Sequence, residues 1–171
     1  NGAFYVLIYL FICGGNAIEG VSLSLVGYMI VASCLIVTAF IDFEHQIIPD
    51  SMWISIFVGG LFIVVDTAIK GQFTKEFIIA KIIGLFAISG LFFLIGVISK
   101  GRAMGGGDVK FMAAAGFVLG WKAIIVSLFL GAFSGVLFSI GRKIVSQKEM
   151  SGVIPFGPFL AIGVTLSMFF G

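Results

Sequence analysis

Charge is what this sequence has least of. Only 11% of its 171 residues are Asp, Glu, Lys or Arg, where a soluble domain carries about 25%. The hydrophobic share is 60%, which excludes an ordinary soluble globular domain. Ten Lys and Arg against eight Asp and Glu leave a net charge of +2, with no basic excess to hold nucleic acid. Cysteine is scarce as well. Cys13 and Cys34 both sit inside apolar runs without CxxC spacing, so they read as small hydrophobes rather than a disulfide framework or metal cluster. No solenoid-type repeat and no low-complexity segment is present. The initiating Met is missing too: the chain opens at Asn1 and runs straight into AFYVLIYLFIC. That suggests a fragment or processed product, and the absence of a positive n-region argues against a signal peptide.

What is present is long apolar runs, with 20 Phe, 24 Gly and a mean hydropathy of +1.24. Gly is more frequent in membrane helices than in soluble ones. The runs are continuous, which excludes the alternating strands of a membrane β-barrel. Crossing a hydrocarbon core of roughly 30 Å takes about 20 apolar residues. Between charges, seven segments qualify as candidates: roughly 3–15, 22–41, 52–69, 77–99, 109–120, 122–141 and 154–170. The fifth is short, about 18 Å at helical rise. The expected fold is all-α: a polytopic transmembrane helical bundle of about six to seven spans, in one membrane-embedded domain over 1–171.

Charge also orients the bundle. If the loop at 42–51 is cytoplasmic, parity puts 100–110 and 142–152 on the same side. Those loops hold Lys100, Arg102, Lys110, Arg142, Lys143 and Lys148, against Lys70, Lys75, Lys81 and Lys122 opposite. Six against four is the bias expected of cytoplasmic loops. Two full spans separate Asp42 from Asp108, and an even count brings both to one membrane face.

Those two aspartates draw attention because burying a carboxylate in a membrane is expensive, so each is a functional candidate. Two close carboxylates cannot both ionise cheaply and share a proton. Such a dyad activates water with one member while the other protonates or polarises a carbonyl, the aspartic-protease arrangement, with no metal or cofactor required. The glycine run Gly105-Gly106-Gly107 beside Asp108 breaks the helical pattern and lets an extended peptide approach closely. The bland reading is that both acids are interfacial caps, Asp108 suiting the positive end of the next helix.

The stretches Asp42-Phe43-Glu44-His45-Gln46-Ile47-Ile48-Pro49-Asp50 and, 66 residues on from Asp42, Met104-Gly105-Gly106-Gly107-Asp108-Val109-Lys110 resemble the type IV prepilin peptidase family. The closing IPFGPFLAIG at 154–163 is similar to the last-helix motif of that family. The resemblance implies that Asp42 and Asp108 are catalytic, the second in a GxGD element also found in presenilin-type and archaeal preflagellin peptidases. It implies a multi-pass protein of the inner (cytoplasmic) membrane, surrounded by lipid bilayer. Its substrate would be a prepilin or pseudopilin with a basic leader and an apolar helix, cut after a Gly at the cytoplasmic face. Bacterial members typically carry an earlier zinc-binding domain with paired CxxC motifs, which these residues do not contain. Many also methylate the new N-terminus from S-adenosylmethionine, and no methyl-donor site is recognisable here.

The other polar residues have plainer readings. His45 with Asp42, Glu44 and Asp50 makes a conceivable metal set, but a solvated loop is the simpler account. Asp50 or Ser51 after Pro49 reads as a helix cap. Glu44 and Asp50 are placed to attract a basic leader, and Lys110 reads as a snorkelling anchor. Glu19, Asp66 and Glu76 fall on the outer side as interfacial charges, and Trp53 and Trp121 read as interface anchors. Pro155 and Pro158 start or kink the last helix. The stretches 113–116 and 131–135 read as close helix packing. The rival function is a small transporter or ion-coupled carrier, which calls for polar groups deep within the spans. Nothing in the sequence fixes an oligomeric state.

Overall fold

A computed structural model describes residues 2–13, 22–102, 104–145 and 155–170. Among them are seven helices and no strand: α1 Gly2–Cys13, α2 Leu23–His45, α3 Asp50–Ile69, α4 Lys75–Ile98, α5 Gly106–Leu119, α6 Trp121–Val145 and α7 Gly157–Phe170. Helices are what continuous apolar runs must form in lipid, where each backbone polar group has to be satisfied inside its own segment. Four of them, α2, α3, α4 and α6, are long and apolar enough to cross a membrane. With 14 residues each, α5 and α7 reach only about 21 Å.

Neighbours in sequence pair in space, α2 with α3, α4 with α5 and α6 with α7. The pairs are joined chiefly through α5, which also touches α3, α6 and α7. Its Phe111, Met112, Ala114, Ala115 and Val118 are all buried. The short segment is therefore a central helix, packed against α3, α4, α6 and α7. Small residues permit this packing: a Cβ at Gly84 or Gly116 would collide with the backbone of the other's helix, and one at Gly163 with Ser127 and Gly131. The expectation of close packing at 113–116 and 131–135 is met on both sides.

Three boundaries depart from the sequence reading. Helix α2 continues through His45, so Asp42 lies in its last turn rather than in a loop. Helix α5 starts at Gly106, three residues early. First-turn N–H groups have no intrahelical partner anyway, so two glycines cost little there. Helix α3 is capped by Pro49 without any side-chain hydrogen bond, so neither Asp50 nor Ser51 caps it.

At the far end of the bundle, Asp66 is buried rather than merely interfacial. It accepts from Ser22 Oγ at 2.9 Å and from the Leu23 N–H at 3.2 Å, and pairs with Lys70 at 2.8 Å. A carboxylate of α3 thus holds the free N–H end of α2, a service normally given by a local cap. Lys81 on α4 is likewise buried and donates to the Val118 carbonyl in the last turn of α5, where a cation complements the helix dipole. Glu19 and Lys148 lie outside the described residues.

Candidate active site

The site forms where the ends of α2, α5 and α7 meet. Asp42 is buried, on the face of α2 that also buries Leu35 and Thr38. The N–H of Gly157, first residue of α7, donates to Asp42 Oδ2 at 2.9 Å. A helix N-terminus is a natural anion site, its unbonded N–H groups pointing at the negative charge. The fit is close: a Cβ at Gly157 would stand 2.6 Å from Oδ2 and 2.7 Å from Cγ of Asp42. Pro158 follows in the first turn of α7, where its missing N–H costs nothing. It starts the helix.

Asp108 sits in the first turn of α5, half-buried. The Gly105 N–H donates back to its carboxylate, the acidic half of a capping box. Asp108 is close enough to Asp42 for the charge of one to act on the other. The chain thus brings its two sequence-selected aspartates together from helices whose intervening pair, α3 and α4, returns the backbone to one end.

The loop between α2 and α3 secures this. Buried Ile48 packs on Gly107, where a Cβ would stand 3.1 Å from the Ile48 Cβ and 3.3 Å from its carbonyl oxygen. Beside it, Lys110 Nζ pairs with Asp50 Oδ1 at 2.7 Å, and Trp53 Nε1 donates to the same oxygen at 2.8 Å. Asp50 therefore ties the start of α3 to α5 rather than capping a helix, and Lys110 is an ion-pair partner rather than a simple anchor. Of the three glycines, Gly107 serves packing. A Cβ at Gly106 would meet nothing within 4 Å, so the open approach is at Gly105 and Gly106, both exposed.

Glu44 and His45 are exposed, with 3.9 Å between His45 Nε2 and the Glu44 carboxylate. Asp42 is buried while they are exposed, and Asp50 is engaged by Lys110. Among the described residues no group of three or more His, Cys, Asp or Glu is arranged to hold a metal ion. Cys34 is a free, half-buried thiol. The role of Gly157 was missed by sequence reasoning. The 154–163 motif marked its neighbourhood, but nothing local pairs residue 157 with residue 42.

The architecture defines a class: a membrane-embedded helical bundle with two carboxylates converging at one end. Residues 29–140, which include both, match the model of the type IV leader peptidase family. The chain belongs to that family. It is 30% identical over 139 residues to a prepilin leader peptidase/N-methyltransferase of Aeromonas salmonicida, covering 80% of this chain and 46% of that protein. The corresponding protein of Legionella pneumophila is 29% identical over 159 residues, 89% of this chain and 52% of its own length. That of Dickeya chrysanthemi is 25% identical over 147 residues, 85% and 51% respectively. The chain spans about half the length of the curated relatives it matches. No solved structure matches it.

Proposed function

We propose that this chain is the intramembrane aspartyl endopeptidase unit of such a protein, with residues 1–171 as one catalytic domain. It removes the leader of a type IV prepilin or pseudopilin, cutting after a Gly at the cytoplasmic face of the inner membrane. The observation that carries this reading is the convergence of Asp42 and Asp108, inside the family-matched stretch, at one end of the bundle. One carboxylate, ionised, takes a proton from water. The water oxygen attacks the scissile carbonyl carbon while the other, protonated, carboxyl hydrogen-bonds the carbonyl oxygen. The tetrahedral intermediate then collapses, and the leaving amine receives a proton from the pair. The pair shares one proton, so neither aspartate owns a role at rest.

The Gly157 N–H holds Asp42 in place, and exposed Gly105 and Gly106 leave room for an extended peptide beside Asp108. The substrate's apolar helix enters sideways from the bilayer while its basic leader stays in water near exposed Glu44. Methyl transfer, the second activity in the relatives' names, is a property of those proteins.

The test is incubation of the purified chain in detergent with a prepilin, read by gel shift and by mass spectrometry of the new N-terminus. Asp42→Asn and Asp108→Asn should each abolish cleavage and stay folded; full activity in either would end the dyad assignment. A carrier with paired carboxylates would instead move cations in liposomes without cutting anything.

A further inference from the structure

Thr38 is completely buried, and its hydroxyl has no hydrogen-bond partner among the described residues. That is costly, since an unmet buried polar group forfeits the hydrogen bonds it would make in water. A helical Thr usually escapes the cost by bonding to the carbonyl four residues back; this one does not. Its position gives the reason. Thr38 is one turn before Asp42 on the same buried face of α2, a spacing that puts the two Cβ atoms about 5–6 Å apart. Helical side chains lean toward the N-terminus, so the carboxylate of Asp42 tilts over the turn that Thr38 occupies. Asp42 Oδ2 takes the Gly157 N–H, which leaves Oδ1 as the oxygen a second donor would meet. Thr in a helix divides between two χ1 rotamers, and one turn of χ1 redirects the hydroxyl. The other two unmet hydroxyls, Ser127 and Ser167, lie on α6 and well along α7, without a carboxylate one turn away.

We infer that Thr38 is a positioning residue for Asp42, its hydroxyl donating to Oδ1 so that Gly157 and Thr38 hold the carboxylate from two sides during reaction. This rests on the peptidase reading and adds a residue to it. It also accounts for the uncompensated burial: the hydroxyl is kept for the site rather than for the fold.

The test compares wild type, Thr38→Val, Thr38→Ser and Asp42→Asn, full chain in detergent, on a synthetic peptide of a prepilin's basic leader and first apolar turns. Thr38→Val keeps the shape and deletes the hydroxyl. We expect kcat to fall about tenfold, the worth of one hydrogen bond to a charged group. KM should be unchanged, and Tm equal to or above that of wild type. Thr38→Ser should recover most of kcat. Undiminished kcat in Thr38→Val overturns the assignment, and so does a joint fall of kcat and Tm, which marks a packing role. If Asp42→Asn still cleaves, or wild type does not, the peptidase reading itself fails and takes the Thr38 role with it.

Discussion

Gly157→Ala is the sharpest perturbation of the carboxylate site. The added methyl would stand 2.6 Å from Asp42 Oδ2, 2.7 Å from Cγ and 3.0 Å from Cβ, where ordinary contact is 3.4–4 Å. The side chain of Asp42 is the part able to yield, and clearing the overlap moves it by about 1 Å, a displacement that costs on the order of 100-fold in rate at a catalytic centre. The same movement loosens the 2.9 Å bond from the Gly157 N–H. A hydrogen bond to a charged group contributes about 1.5–3 kcal/mol, or roughly 10- to 100-fold, so both routes give one magnitude. The fold should tolerate the change, because Ala is the better helix former by up to about 1 kcal/mol. The assay is kcat/KM for leader removal with Tm measured alongside, and Gly90→Ala in α4 as control, since a Cβ there meets nothing within 4 Å. Gly157→Ala should lose about 100-fold with Tm nearly constant, and Gly90→Ala should stay within about twofold. Cleavage by Gly157→Ala within threefold of wild type, or a collapse of its Tm, would refute the reasoning.

Other outcomes follow from the same contacts. Gly116→Leu should lower Tm sharply, because the backbone of Gly84 occupies the space a side chain needs and overpacking costs typically 1–3 kcal/mol. Asp66→Ala should unmoor the first turn of α2 by removing the partner of Ser22, Leu23 and Lys70, lowering Tm by an amount equivalent to at least about 1 kcal/mol. Its kcat should hold, which would separate this carboxylate from the proposed pair, Asp42 and Asp108. The exposed Lys110–Asp50 pair should be worth under about 1 kcal/mol in a double-mutant cycle read by thermal melts. Lys81→Met should destabilise the α4–α5 contact, since the Val118 carbonyl loses its donor; unchanged Tm would show that the contact contributes nothing.

Asp42 and Asp108 were legible because acids are rare in this chain and each stands at the end of an apolar run. Their companions were harder to read. Asp50 looked like a cap because it follows Pro49, yet its carboxylate serves Lys110, 60 residues on. Asp66 looked like an interfacial charge because it falls on the outer side at a run end, yet its burial comes from the start of α2. Local spacing suggests a local partner, and in both cases a distant one competes for the same oxygens.

By itself the sequence determined the helices, and it placed the two aspartates on one side of the bundle. Continuous apolar runs admit no other regular structure in lipid, and two intervening spans return a chain to its starting face whatever the packing. Tertiary structure alone decided that the short fifth segment packs centrally against four other helices, that α7 aims its first N–H at Asp42, and that Thr38 is buried with its hydroxyl unmet. Those outcomes depend on which small residues let which helices approach, a matter of three-dimensional fit that one-dimensional spacing does not carry.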